Sequence, residues 1–180
     1  QQTLLNAALP AFAFEGWNEA TLARAANEIG ISVFDVKRAF PGGIVEAARV
    51  YCAHADARMT ECVQATPEYG TYKIRARIAH AVLCWLTEQL PQREAVRRLL
   101  AFYALPWHTA DGLRALYATV DTMWYLAGDT STDYNFYTKR AMLAGVLAST
   151  TRVWLSDETP DLCDTRAFLD RRIADVMRIE

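Results

Sequence analysis

The sequence predicts an all-α fold, and three observations carry the prediction. Apolar residues recur at intervals of three and four in several long stretches, no comparable run alternates with period two, and glycine and proline gather at a few punctuating sites. A helix brings every third or fourth side chain back to one face, so this spacing writes one apolar stripe per helix and leaves the rest polar.

The breaks fall at Gly16, Gly30, Pro41-Gly42-Gly43, Pro67 with Gly70, Pro91, Pro106, Gly128 and Pro160. Asn18 is placed to cap the helix that runs to Ile29, and Ser32, with Asp35 three residues on, opens the next in the manner of a capping box. Ile74, Ile78, Val82, Trp85 and Leu86 mark a further helix. Leu113, Leu116, Tyr117, Val120, Trp124 and Ala127 mark another, begun by Thr109 or Asp111 and ended near Gly128. Leu143, Val146, Leu147, Val153 and Trp154 give the next stripe, and Phe168, Leu169, Ile173, Val176 and Met177 the last. Stripes and caps together give about nine helices.

With 180 residues, 52% of them hydrophobic and 22% charged, the chain is expected to form a single domain over residues 1–180 around a sizeable core. A formal net charge of −2 provides no general positive field to hold a polyanion. Charges interrupt every apolar run before the roughly 18 to 20 residues that a membrane-spanning helix needs. Cys52, Cys62, Cys84 and Cys163 are scattered and match no zinc spacing, so they read as reduced core thiols. With no signal-peptide pattern in view, a reducing compartment is expected.

Thr21 to Ile29, the break at Gly30-Ile31, and Ser32 to Phe40 read as two short helices about a tight turn, the arrangement of a helix-turn-helix with which many TetR-type regulators begin. A helix that reads DNA needs Lys and Arg for phosphates and polar side chains for bases. From Glu15 to Arg49 the acids Glu15, Glu19, Glu28, Asp35 and Glu46 outnumber the bases Arg24, Lys37, Arg38 and Arg49. DNA binding is therefore not expected, and the segment reads as a fold element that packs.

Catalytic constellations are missing as well. A di-iron site would show E-x-x-H pairs, yet His54, His80 and His108 have no acid three residues before them. His80 and Cys84 lie one turn apart and would supply only two metal ligands. Ser149, Thr150 and Thr151 have no neighbouring histidine, and neither a P-loop nor a G-x-G-x-x-G run occurs. Asp157, Glu158, Asp161 and Asp164 lack the spacing of a calcium loop and read as a solvated acidic loop that caps the final helix. The chain is not expected to be an enzyme or to hold a metal or cofactor.

Trp85, Leu86, Leu99, Phe102, Tyr103, Leu113, Leu116, Tyr117, Val120, Met123, Leu143 and Leu147 supply more apolar and aromatic surface than a tight seam of short helices needs. A long apolar cavity among the later helices would use it, and these twelve are the candidate lipid-binding residues.

The run from Ala127-Gly128-Asp129 through Ser131-Thr132-Asp133, Asn135-Phe136-Tyr137-Thr138 to Lys139-Arg140 resembles the A-G-D-x-S-T-D-x-N-W-Y-T-K/R-R stretch of the coenzyme Q biosynthesis protein nine family. Ser156-Asp157, Pro160-Asp161 and Asp164 to Ile173 resemble a second stretch of that family. Leu9-Pro10, Phe14-x-Gly16-Trp17, Arg38 to Gly42 and Asp56 to Met59 add agreement near the start.

The resemblance implies an all-α, TetR-like bundle with a helix-turn-helix-like part over 1–50 and a lipid-binding and dimerisation part over 51–180. It implies a homodimer that binds an isoprenoid, quinone or phospholipid and presents a quinone intermediate to the di-iron hydroxylase Coq seven. Asp133, Phe136, Tyr137 and Arg140 inherit the hydroxylase-binding role, with Phe136 standing where the family has tryptophan. Family members also dock on membranes through an amphipathic helix beyond the point where this chain stops, and the last helix here is expected to pair with a symmetry mate. The implied location is the bacterial cytoplasm at the inner membrane or the matrix side of the mitochondrial inner membrane. The rival reading is a TetR-type, ligand-responsive transcription regulator.

Overall fold

Each glycine or proline break falls between two helices. The computed structural model describes residues 1–129 and 134–176, and among them the chain forms nine α-helices, three short 3-10 turns and no strand. The helices are α1 (Gln2–Glu15), α2 (Glu19–Glu28), α3 (Val33–Ala39), α4 (Gly43–Gln64), α5 (Ile74–Glu88), α6 (Arg93–Tyr103), α7 (Thr109–Ala127), α8 (Tyr134–Trp154) and α9 (Cys163–Val176). None of them is long and apolar enough to cross a membrane.

The chain packs as two compact units that do not follow chain order: Gln1–His54 with Gln89–Ala115, and Ala55–Glu88 with Leu116–Glu180. In the first unit, Leu4, Leu5, Ala8 and Phe12 of α1 are buried together with Leu22 and Ala26 of α2 and Ala95, Val96 and Leu99 of α6. Trp17 ties these helices. Its ring stacks on Phe12 with centroids 4.2 Å apart and meets the edge of Tyr51 at 5.5 Å, while its Nε1–H donates to the Ala95 carbonyl at 2.9 Å. Gly16 turns the chain toward Trp17 with φ of +82°, a conformation that a β-carbon would strain.

The expected caps are present. Asn18 Oδ1 accepts from the Thr21 amide at 2.9 Å, and Ser32 Oγ accepts from the Asp35 amide at 3.2 Å. α2 and α3 form the helix-turn-helix-like pair, but α3 buries no residue and leaves Val33 and Phe34 exposed.

In the second unit α8, α9 and α5 pack on one another, and Ile78, Val82, Leu86, Val120, Met123, Leu147, Trp154 and Leu169 fill the interior. Ile173, expected with Phe168 and Val176 of the last helix to face a symmetry mate, is buried inside this unit.

Two sequence readings need correction here. Cys62 of α4 and Cys84 of α5 form a disulfide, with Cα atoms 5.9 Å apart, while Cys52 is half-buried and Cys163 exposed. The four are therefore not reduced core thiols, and the expectation of a reducing compartment loses that support. Helix packing brings the pair together across 22 positions, a separation that matches no local motif. The acidic loop does cap α9, but through a buried side chain instead of a solvated one. Asp157 accepts from the amide and hydroxyl of Thr165 and from the amide and hydroxyl of Thr159. Burial would raise its pKa, but those four donors outweigh it and hold the carboxyl well below the usual range.

Candidate functional site

The second unit contains an apolar cavity of about 290 Å³, near the lower end of the size range of small-molecule pockets. α5 lines it with Ile74, Arg75 and Ile78, and α7 with Trp124. α8 contributes Lys139, Met142, Leu143 and Val146, which fall on one face because they are spaced by three, one and three. α9 closes it with Ile173 and Val176, one turn apart. Ile78, Leu143, Val146 and Ile173 are buried, whereas Ile74 is 47% exposed and marks the open end.

The rim is held by Arg77. It donates from Nε to the Tyr72 carbonyl at 2.9 Å, from Nη1 to the Ala127 carbonyl at 3.1 Å and from Nη2 to the Gly70 carbonyl at 2.6 Å. The start of α5 is thereby fixed to the end of α7, where the orphan carbonyls of a helix need donors.

Of the twelve candidate lipid residues, Leu143 lines this cavity. Leu86, Val120, Met123 and Leu147 are fully buried in the same unit, Trp85 and Leu116 are half-buried there, and Tyr117 is 45% exposed. Leu99 and Phe102 belong to the core of the other unit. Tyr103 packs there beside Gly112, and Leu113 is 62% exposed. Sequence reasoning missed Ile74, Ile78, Ile173 and Val176, which were read only as core stripes, and it gave no role to Met142, Arg75 or Lys139. The α8 spacing that starts at Lys139 was the available signal.

The described residues of the segment that carries the family resemblance take part in an ion network at the start of α8. Arg140, only 5% exposed, donates from Nε to Asp121 Oδ1 at 2.6 Å and from Nη1 to Asp129 Oδ2 at 3.3 Å and the Phe136 carbonyl at 3.2 Å. Its guanidinium lies 3.3 Å from the centroid of the Phe136 ring. Lys139 pairs with Asp129 at 3.1 Å and stands 5.6 Å over Trp124, whose Nε1–H donates to the Lys139 carbonyl at 3.2 Å. Tyr137 meets the edge of Phe136 and is 68% exposed. Of the four partner residues, Tyr137 is thus on the surface, Phe136 half-buried and Arg140 internal, while Asp133 lies outside the described residues.

A third polar cluster joins α4, α5 and α7. Asp56 Oδ1 accepts from Trp85 Nε1 at 3.1 Å and Thr119 Oγ1 at 2.8 Å, with no cation in ion-pair range among the described residues. Burial raises its pKa to about 6, against the lowering effect of the Thr119 and Trp85 hydrogen bonds. His80 shares a hydrogen bond with Thr66 Oγ1 at 2.9 Å, and its neighbour Cys84 is held in the disulfide. Burial, and then the charge of Arg166, lower the His80 pKa. Among the described residues no three His, Cys, Asp or Glu side chains converge as metal ligands.

The COQ9 family model matches residues 109–180. The rat protein named "Ubiquinone biosynthesis protein COQ9, mitochondrial" is 33% identical over 99% of this chain and 59% of its own length. The human protein of that name is 32% identical over 99% of this chain and 58% of its length, and the Drosophila melanogaster protein 26% over 98% and 55%. The chain spans a little under three-fifths of the length of these curated relatives. Among solved structures, the TetR transcriptional regulator from Nitrosomonas europaea ATCC 19718 superposes with a TM-score of 0.78, covering 98% of this chain and 97% of that one at 19% identity. At that identity the likeness concerns the fold alone. The chain is thus similar to COQ9 proteins over nearly its whole length, matches the COQ9 family model over residues 109–180, and carries an all-α, TetR-like fold.

Proposed function

We propose that the chain serves ubiquinone biosynthesis as a non-catalytic accessory protein, holding a prenylated quinone intermediate by its tail and presenting it to the di-iron hydroxylase. The observation that carries this reading is the apolar cavity among α5, α7, α8 and α9, which adjoins the segment that most resembles the family. The relatives' names supply the pathway and the mitochondrial setting. Burying a tail gains about 0.8 kcal/mol per methylene, so a few prenyl units give useful affinity.

In this reading the hydroxylase docks on the face that carries Tyr137, with Phe136 beneath it. Arg140 acts from inside by holding Phe136. Self-association and a membrane-docking segment complete the proposal. DNA reading has little to support it, because α3 presents Val33 and Phe34 and its Arg38 is paired with Asp35 at 2.7 Å.

Organic extraction and mass spectrometry of protein purified from a ubiquinone-producing host test the cavity. Prenyl lipid or phospholipid should be recovered from the parent, and less from Met142→Trp, whose ring would occupy the space. A parent without lipid, or a Met142→Trp variant that retains the full load, contradicts the proposal.

A further inference from the structure

We propose that Cys62 and Cys84 form a reversible thiol–disulfide exchange site, at which a small thiol of the glutathione class attacks Cys62 and Cys84 leaves as a thiolate beside His80. Exchange needs one approachable sulfur and one good leaving group, and the pair divides these roles. Cys62 is half-buried and within reach of an incoming thiol, whereas Cys84 is only 4% exposed. His80 serves the leaving sulfur, with Nε2 3.5 Å from Cys84 Sγ and 2.9 Å from Thr66 Oγ1. The Thr66 hydroxyl donates its proton to the Cys62 carbonyl at 3.2 Å, so toward His80 its oxygen accepts and Nε2 carries the ring proton. That N–H stands beside the sulfur on which charge appears when the S–S bond breaks. Burial, and then Arg166, keep the ring neutral at pH 7, and the positive charge of Arg166 favours an anion nearby.

The same segments are also held together without the S–S bond. Tyr69 and Tyr72, between α4 and α5, set their rings against His80 with centroids 5.7 and 6.1 Å away, and Trp85 of α5 donates to Asp56 of α4 at 3.1 Å. These contacts keep the two Cα atoms, 5.9 Å apart, within the span of a disulfide, so the bond can open and reclose in the folded chain. In the first step the incoming thiolate bonds to Cys62 Sγ, the Cys62–Cys84 bond breaks, and its electron pair stays on Cys84, which takes a proton from water. A second thiolate then attacks the small thiol's sulfur in the mixed disulfide and releases Cys62. Two small thiols are thereby oxidised to their disulfide, and the two cysteines are reduced.

Treating the full chain with millimolar glutathione at neutral pH and without denaturant, quenching in acid and reading the peptides by mass spectrometry follows each step. The expected result is a transient glutathione adduct on Cys62, then two free thiols in a protein whose circular dichroism stays native, and closure of the bond again by oxidised glutathione. His80→Leu should slow the opening about tenfold, and His80→Gln, which restores an N–H donor, should recover part of the rate. A role of His80 in packing alone would give the opposite sign, since a loosened fold exposes the bond and speeds its reduction. The position of the adduct is read in the unaltered protein and so does not depend on how either variant folds. A bond that opens only in denaturant, or thiols that oxidised glutathione leaves unpaired, overturns the exchange site. An adduct on Cys84, or an opening rate that His80→Leu leaves unchanged or raises, overturns the assignment of roles.

Discussion

Arg140, Asp157 and Asp56 are ionic side chains drawn inward, and their surroundings answer the charge in three ways. Arg140 faces two carboxylates, a carbonyl and an aromatic ring. Replacing it by methionine leaves the buried Asp129 carboxylate with less compensation and should destabilise the protein by about 3 kcal/mol or more, read from urea unfolding. Tyr137→Ala, on an exposed position, should change stability by less than about 0.5 kcal/mol yet weaken hydroxylase binding. Equal stability losses in the two variants would contradict the division between a holding residue and a contact residue.

Asp157 illustrates a depressed carboxyl. Because its folded pKa lies below the unfolded value of 3.8, its stabilisation is present above that value and is lost as pH falls. Asp157→Asn should cost about 1 to 3 kcal/mol at pH 7, with the gap from the parent closing in acid. Asp56 has the opposite sign. Its folded pKa of about 6 exceeds 3.8, so the folded state holds the proton longer and stability declines as pH rises between those values. Asp56→Asn keeps an acceptor for Trp85 and Thr119, and it should melt higher than the parent at pH 8 by about 1 to 2 kcal/mol while matching it near pH 4. A parallel pair of melting curves across pH would contradict this.

At the scale of elements, what the sequence made legible was where helices start and stop. Gly16, Gly30, Gly128 and the prolines sit between helices because each either takes a backbone conformation that other residues resist or interrupts the hydrogen-bond ladder. Pro10 shows the limit, since it lies inside α1. Stripes were less informative about burial. Leu113 and Tyr117 share the α7 stripe with Val120 and Ala127, yet the first pair is exposed and the second fully buried. Periodicity shows which side chains share a face but not what packs against it.

Close approach of helices was also illegible. A β-carbon on Gly112 of α7 would sit 2.8 Å from the Tyr103 β-carbon of α6. In an open helix, Gly→Ala stabilises; here the contact should reverse the sign, with Gly112→Ala losing about 1 to 3 kcal/mol in thermal melts. A variant more stable than the parent would show that the two helices are not in register at this point.

For the molecule as a whole, the family and the all-α architecture were readable because a long signature and helical spacing each involve many residues at once. The site was not readable to the same degree. Choosing Leu143 but passing over Ile78, Met142 and Ile173 reflects a physical ambiguity, because the same aliphatic side chain serves equally well as core filling or as cavity wall. The disulfide and the two interleaved units were hidden for a related reason, in that both depend on contacts between segments far apart in the chain. Asp133, one of the four signature residues expected to face a partner, lies outside the described residues.

The central claim is that α5, α7, α8 and α9 enclose room for a lipid tail. An electron-density map of the protein crystallised as purified from a ubiquinone-producing host tests it most directly. The account predicts continuous elongated density bounded by Trp124, Leu143 and Ile173 and reaching toward Arg75; helices closed upon one another, with side chains filling that space, would contradict it.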